Sequence, residues 1–300
     1  MFQAIEPEPI SKGATIGIVA PASAISEPLE KSIELLEKHG FKVQLGRHIY
    51  KTHRSFSACD ESRLSDLQWA LDSPSIDAVI CARGGYGCQR IIDKLDLSSF
   101  RNKPKWIVGF SDVTALHNYI LLEAKTCTIH GAMLSTFLEE SRESCDLIHL
   151  LKLLQGERQI YELAGHKMNK EGEFYGQMIG GNLMLLTTMI ATRYKPNLRG
   201  KILFVEDIGE DLYKLDRMMQ ILRLGDLSKI GALVCGYFTN CKKGEPAFAE
   251  DAYSVIHNVV KEYEFPVCYG FPSGHEHPNK AWIHGKRYKL EVSKEKVFLK

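Results

Sequence analysis

The sequence predicts an α/β protein in two parts: a parallel-sheet N-terminal part, then a smaller β/α part ending in a mixed sheet. Three observations carry this. Strand and helix signals alternate through the first half. Its strand candidates are continuous apolar runs, as expected of strands covered on both faces. The last twenty residues hold two short strand-like runs around a turn, AWIHGKRYKLEV and EKVFLK, which suits antiparallel or mixed pairing.

The elements follow in order. TIGIVA (15–20) is a β-branched run ending at Pro21. Ser26 is read as the cap of a helix carrying Leu29, Ile33, Leu35 and Leu36, stopped by Gly40. FKVQLG (41–46) reads as a strand, and Arg63–Leu71 as a helix with Leu64, Leu67 and Leu71 at helical spacing before Pro74. IDAVICA (76–82) and KWIVGF (105–110) are strands, followed by expected helices over 87–95 and 112–124. The stretch 139–174 turns polar (EESRES, QGERQ, NKEGE) around one helix, Cys145–Leu154. The domain boundary is expected there, within 150–175, giving domains 1–160 and 161–300. The second half restarts with GQMIGGNLMLLTTMIA (176–191), read as a turn and a helix. It continues with strand 201–207, helix Leu212–Leu224, strand 231–238, helix 249–262 and strand 265–271.

Composition narrows the function. The 300 residues carry 38 Lys+Arg against 37 Asp+Glu, a net charge of +1. No global field draws the chain to nucleic acid or to an anionic membrane. The longest apolar stretch, LMLLTTMIA (183–191), has nine residues, short of the ~20 that a spanning helix needs. The start, MFQAIEPEPISKG, lacks the apolar core of a secretory signal. The eight cysteines (59, 81, 88, 127, 145, 235, 241 and 268) form no C-x-x-C pair and read as reduced thiols of a cytosolic protein.

Active residues in open α/β sheets gather at the carboxyl ends of strands. Arg83-Gly84-Gly85-Tyr86-Gly87 follows one strand. Its glycines suit a phosphate cradle, an oxyanion hole or a plain tight turn, but neither G-x-x-x-x-G-K-[ST] nor G-x-G-x-x-G is present. Ser111-Asp112 follows another, where a strand enters a helix. That position suits a nucleophile elbow or an ordinary N-cap. Glu206 and Asp207 end the strongest strand of the second half. They could bind a metal or orient a histidine, and alternation lets only one face a cleft. Gly270-Phe271-Pro272-Ser273-Gly274-His275 brings a histidine. His275-x-His277 has the look of half a metal site, without a third ligand at the required spacing. Together a serine, a carboxylate and a histidine supply the three roles of nucleophilic acyl transfer.

These residues resemble the LD-carboxypeptidases, the S66 serine peptidases. The resemblance rests on seven short motifs in order: GIVAPAS (17–23), RGGYG (83–87), GFSD (109–112), IHG (129–131), GGNL (180–183), VED (205–207) and GFPSGH (270–275). It implies a flavodoxin-like or Rossmann-like N-terminal domain, a smaller C-terminal β/α domain and a site between them. It further implies Ser111 as nucleophile, His275 as general base and acid, Glu206 as orienting carboxylate, and backbone N–H groups of Gly85 and Asp112 as oxyanion donors. The substrate contacts expected are Arg83, Tyr86, Asn182 and Trp282, with Arg83 either binding a carboxylate or tying loops together. The implied reaction releases terminal D-alanine from a murein tetrapeptide in the cytoplasm, with no metal or organic cofactor. The implied assembly is a homodimer, without nucleic-acid or membrane partners. His277 is a rival base. The competing functions are hydrolysis of peptidyl-nucleotide antibiotics, for which Trp282 offers a stacking platform, and a non-catalytic binding module on the same scaffold.

Overall fold

The computed structural model describes residues 3–137 and 145–300; the polar EESRES stretch (139–144) lies outside them. The chain divides into two compact units. One comprises Met1–Arg158 with Lys280–His284, the other Gln159–Asn279 with Gly285–Lys300.

The first unit is built on a six-stranded sheet. Its strands are β1 (Thr15–Val19), β2 (Lys42–Leu45), β3 (Ala78–Cys81), β4 (Trp106–Gly109), β5 (Thr128–His130) and β11 (Trp282–His284), in spatial order β11-β5-β4-β3-β1-β2. Strands β2, β1, β3, β4 and β5 run parallel, with β11 antiparallel on the edge beside β5. The order 2-1-3-4-5 is the flavodoxin-like winding, with its switch point between β1 and β3. The central strands AVIC and WIVG are buried at every residue, because helices cover both faces of a parallel sheet. The helices are α1 (Glu30–Lys38), α2 (Asp60–Asp72), the short α3 (Ser98–Asn102), α4 (Thr114–Ala124) and α5 (Cys145–Leu154).

The second unit holds a seven-stranded mixed sheet. To β6 (Tyr161–Ala164), β7 (Gly172–Asn182), β8 (Lys201–Ile208), β9 (Ala232–Thr239) and β10 (Val267–Tyr269) the tail adds β12 (Arg287–Val292) and β13 (Lys296–Leu299). The order is β10-β9-β8-β7-β12-β13-β6, parallel from β7 to β10 and antiparallel from β7 to β6. Its helices are α6 (Leu183–Ile190), α7 (Leu212–Leu224) and α8 (Ala252–Val260).

Several local expectations change. Ser26 does not cap α1, which begins after Leu29 without a side-chain cap. The expected helix over 87–95 is a pair of 3₁₀ turns, Cys88–Arg90 and Ile92–Lys94. The expected turn at the start of 176–191 is the end of the long strand β7. Gly180 is there for close approach: at φ 134° an added Cβ would run into the Phe204 carbonyl of β8. The segment Lys280–His284 rejoins the first unit through the β11–β5 pairing.

Candidate active site

In the first unit, β4 delivers the chain to Phe110 and then to Ser111, which opens a 3₁₀ turn (Ser111–Val113) leading into α4. Ser111 has φ 60°, a left-handed conformation that a serine adopts only at a cost of order 1–3 kcal/mol. It is no N-cap: neither cap residue of this turn and helix makes a side-chain bond. The geometry is that of a strained strand-to-helix elbow. His117 of α4 donates from Nε2 to the Gly109 carbonyl at 2.8 Å, fixing the helix to the end of β4.

The glycine turn after β3 lies against this elbow. A Cβ on Gly84 would sit 2.9 Å from the Ser111 Cβ and 3.0 Å from its Oγ. Gly85 (φ 106°) and Gly87 (φ 147°) take conformations that favour glycine. Ser23, at the end of β1, accepts from the Tyr86 amide at 3.1 Å and donates its own amide to the Gly84 carbonyl at 3.2 Å. Among the described residues, the Gly85 N–H donates to no group of the chain. The Asp112 amide lies in the first turn after the elbow, where helical N–H groups lack intrahelical partners. Its carboxylate points elsewhere: it is fully buried and accepts from the Cys88 amide at 2.7 Å. Burial pushes its pKa up, against the amides of Cys88 and Gly87 and the charge of Arg63.

In the second unit, β8 carries the two adjacent carboxylates. Its pairing with β9 slips between Val205 and Asp207. A bulge of this kind re-aims side chains. Glu206, fully buried, accepts from His275 Nδ1 at 2.7 Å, and among the described residues its second oxygen has no hydrogen-bond partner. Asp207 turns instead to the start of α6. It accepts from Asn182 Nδ2 (2.9 Å), the Met184 amide (3.0 Å) and the Ile208 amide (2.8 Å). Burial, then the neighbouring Glu206, pushes Asp207 up to about 7. Burial works to lower the His275 pKa, but the Glu206 carboxylate outweighs it and holds the imidazole above 6.5. With Nδ1 committed to the carboxylate, any base function falls to Nε2. The loop is organised by Asn279, whose Oδ1 accepts from Ser273 Oγ (3.2 Å) and the Gly274 amide (3.1 Å). Gly274, at φ 130°, leaves room for Glu206: an added Cβ would sit 3.1 Å from its Oε2.

The structure gives the other expected contacts the following surroundings. Arg83 donates from Nη1 to the Ala24 carbonyl (2.7 Å) and to Ser26 Oγ (3.3 Å). Tyr86 is half exposed beside the Phe56 ring, 5.8 Å between centroids. Asn182 caps α6 by accepting from the Leu185 amide at 3.2 Å and donates to Asp207. Trp282 is a correction. It is fully buried on β11, stacked 5.1 Å from His130, and offers no face to a ligand. Among the described residues no group of three or more His, Cys, Asp or Glu is arranged to hold a metal ion, His275 and His277 included. Sequence reasoning missed Ser23, Arg63 and Asn279. Ser23 alone had a usable signal, since it follows the end of β1.

Comparison with known proteins agrees with this architecture. The family model described as the LD-carboxypeptidase N-terminal domain matches residues 16–131, and the LD-carboxypeptidase C-terminal domain matches 175–290. The murein tetrapeptide carboxypeptidase of Pseudomonas aeruginosa is 36% identical over 296 residues, covering 92% of each chain. The probable murein peptide carboxypeptidase of Bacillus subtilis is 33% identical over 301 residues, covering 97% of this chain and 92% of that one. The crystal structure of muramoyltetrapeptide carboxypeptidase from Oxalobacter formigenes superposes with a TM-score of 0.87 at 29% identity, over 95% of this chain and 98% of that one.

Proposed function

The chain belongs to the LD-carboxypeptidase family, and from that premise we propose that it releases the terminal D-alanine of a murein tetrapeptide by acyl transfer through Ser111. One observation carries the reading: a left-handed Ser111 packed on the Gly84 turn, beside a Gly85 amide that no group of the described chain engages. The His275–Glu206 pair supports it.

In the proposed reaction Ser111 Oγ attacks the carbonyl of the residue before D-alanine, and His275 Nε2 takes the Oγ proton. The amides of Gly85 and Asp112 hold the oxyanion. The imidazolium, its charge balanced by Glu206, gives its proton to the leaving amine. Water then hydrolyses the acyl-enzyme, with His275 again as base. Glu206 fixes the tautomer through its bond to Nδ1. His277 is the weaker candidate for the base, because Glu206 bonds His275. The burial of Trp282 removes only the stacking platform that the sequence offered to the nucleotide reading.

The proposed setting is murein-peptide recycling in the cytoplasm. All eight cysteines are unbridged, as a reducing compartment keeps them, and among the described residues no helix is long and apolar enough to cross a membrane. The proposed assembly is a homodimer. A sedimentation mass near 33.9 kDa at micromolar concentration overturns that.

Mass spectrometry of murein tri-, tetra- and pentapeptides tests the activity. The wild type should remove one alanine from the tetrapeptide alone, and Ser111→Ala should remove none. Near-wild-type hydrolysis by Ser111→Ala refutes the assignment.

A further inference from the structure

The turn that presents Gly85 is held by two buried charged side chains for which the reaction above has no use. Arg63 of α2 has a side chain with no exposed surface. Its Nη1 donates to the Gly87 carbonyl at 3.0 Å and also to the Pro21 carbonyl, and its Nε to the Ala58 carbonyl at 3.3 Å. Nη2 meets Asp60 at 2.5 Å. Asp60 is gripped in turn by Arg90, whose Nε lies 3.0 Å from each carboxylate oxygen. The Phe56 ring stacks on both guanidinium groups, at 4.8 and 5.3 Å. Arg63 therefore ties the end of β1, through Pro21, to the end of β3, through Gly87. These are the two strands flanking the switch point. Gly87 permits the approach, since a Cβ there would lie 2.5 Å from Nη1.

Asp112 grips the same turn from the other side, with Oδ2 on the Cys88 amide at 2.7 Å. Every grip falls on a neighbour of Gly85: Ser23 takes Gly84 and Tyr86, Arg63 takes Gly87, Asp112 takes Cys88. A buried guanidinium and a buried carboxylate are both costly to desolvate. Apolar residues would fill the two positions more cheaply if packing alone were at stake. Arg63 also suits the task by shape, because its planar fork reaches several acceptors at fixed angles where a lysine reaches one or two.

We propose that Arg63 and the Asp112 side chain are positioning residues for the oxyanion hole, holding the 84–88 turn so that the Gly85 amide stays at the Ser111 elbow. This rests on the reading of Ser111 as nucleophile. Neither side chain touches the reacting atoms in this scheme. Their effect belongs to the transition state and leaves ground-state binding alone.

The test compares wild type with Arg63→Lys, Asp112→Ala and Asp112→Asn, each confirmed folded by its melting temperature. Two ligands are measured: a peptide boronic acid, which forms a tetrahedral adduct on the serine, and the product tripeptide. Loss of a whole oxyanion donor costs about 10²–10³ in kcat. Loosening the turn should cost part of that, about 10–100-fold in kcat and in boronate affinity for Arg63→Lys and Asp112→Ala. KM and tripeptide affinity should stay within about twofold. Asp112→Asn keeps an acceptor for the Cys88 amide and should recover part of the loss. Because both residues act through one donor, the double variant should lose less than the product of the single losses. Folded single variants with boronate affinity and kcat within about twofold of wild type overturn the inference. So does an equal fall in boronate and tripeptide affinity. If Arg63→Lys does not fold, the two Asp112 variants decide. If Ser111→Ala cleaves the tetrapeptide, the failure lies with the nucleophile assignment.

Discussion

Glu206→Gln is the perturbation whose outcome the geometry specifies most closely. In the wild type, Nδ1–H of His275 donates to Oε2 at 2.7 Å, while Oε1 is buried with no hydrogen-bond partner among the described residues. A glutamine at 206 has two ways to sit. With its oxygen toward His275, the productive tautomer survives, but the NH2 group takes the Oε1 position and becomes a buried donor without an acceptor. That costs about 1–3 kcal/mol. With its NH2 toward His275, Nδ1 becomes the acceptor and Nε2 carries the proton, so the ring cannot act as base. In this second arrangement the amide oxygen takes the Oε1 position, so each orientation leaves a buried group unpaired and neither wins by the full margin. The productive form also loses a charge-assisted bond to the imidazolium, about 1.5–3 kcal/mol, or about 10–100-fold. On that loss kcat should fall about 10–100-fold. The pH profile gives an independent sign. In the wild type Glu206 holds the His275 pKa above 6.5 against burial, so kcat/KM should fall as pH drops through a value above 6.5. In Glu206→Gln burial acts without that carboxylate, and the limb should move to lower pH. The assay is kcat/KM for tetrapeptide hydrolysis between pH 5 and 9. A loss under tenfold, or an acidic limb that does not move, refutes this account of Glu206.

Three further outcomes are expected. His117 is fully buried and its pKa is lowered by burial to about 4 from 6.5. Between those values the unfolded chain takes up a proton that the folded one does not, so stability falls with falling pH, by about 3 kcal/mol across the window. Urea midpoints at pH 7 and 4.5 should show His117→Gln losing less than the wild type, and equal slopes would count against it. Ser111→Gly should be more stable than Ser111→Ala by about 1 kcal/mol, because glycine accepts the left-handed φ of 60° that alanine resists; identical melting temperatures would remove the strain. Gly84→Ala should cut kcat at least about tenfold with a smaller change in KM, since its Cβ would lie 3.0 Å from Ser111 Oγ; the assay is steady-state kinetics on the tetrapeptide, and an unaltered kcat would separate the turn from the nucleophile.

Much of the fold was legible because its central strands carry their burial on their face. AVIC and WIVG are apolar at nearly every position, which only a doubly covered strand requires. The parts that were not legible depend on distant partners. GQMIGGN looks like a turn by composition, yet its glycines mark where β7 passes against β8. AWIH reads as part of the tail, but Trp282–His284 crosses back to pair with β5. Trp282, a stacking platform by its residue type, is buried in that strand together with its neighbours Ala281 and Ile283. The candidate site divides the same way. Ser111, Glu206, His275 and the glycine turn follow from asking what ends each strand. Arg63 and Asn279 act through a hydrogen bond spanning a long gap and through loop geometry, and no local pattern announces them. The roles of Glu206 and Asp207 were separable in principle by alternation, but which of the two meets the histidine depends on the bulge between Val205 and Asp207.

Each unit, taken by itself, carries an arrangement that its fold does not need. In the first, a serine holds a left-handed conformation at the end of β4, where a glycine would remove a strain of order 1 kcal/mol or more. In the second, a carboxylate oxygen of Glu206 at the end of β8 is buried with no hydrogen-bond partner among the described residues, an omission that costs about 1–3 kcal/mol. Neither helps the sheet beneath it, since AVIC, WIVG and the buried run of β8 supply their own apolar contacts. Both occupy the carboxyl end of a parallel strand, where α/β proteins put their chemistry. The Ser111 strain makes sense if Oγ has to be raised from the sheet, and the Glu206 vacancy if one carboxylate oxygen serves the imidazole alone. The two costs are independent in origin, and the acyl-transfer reading accounts for both with the roles it assigns on other grounds.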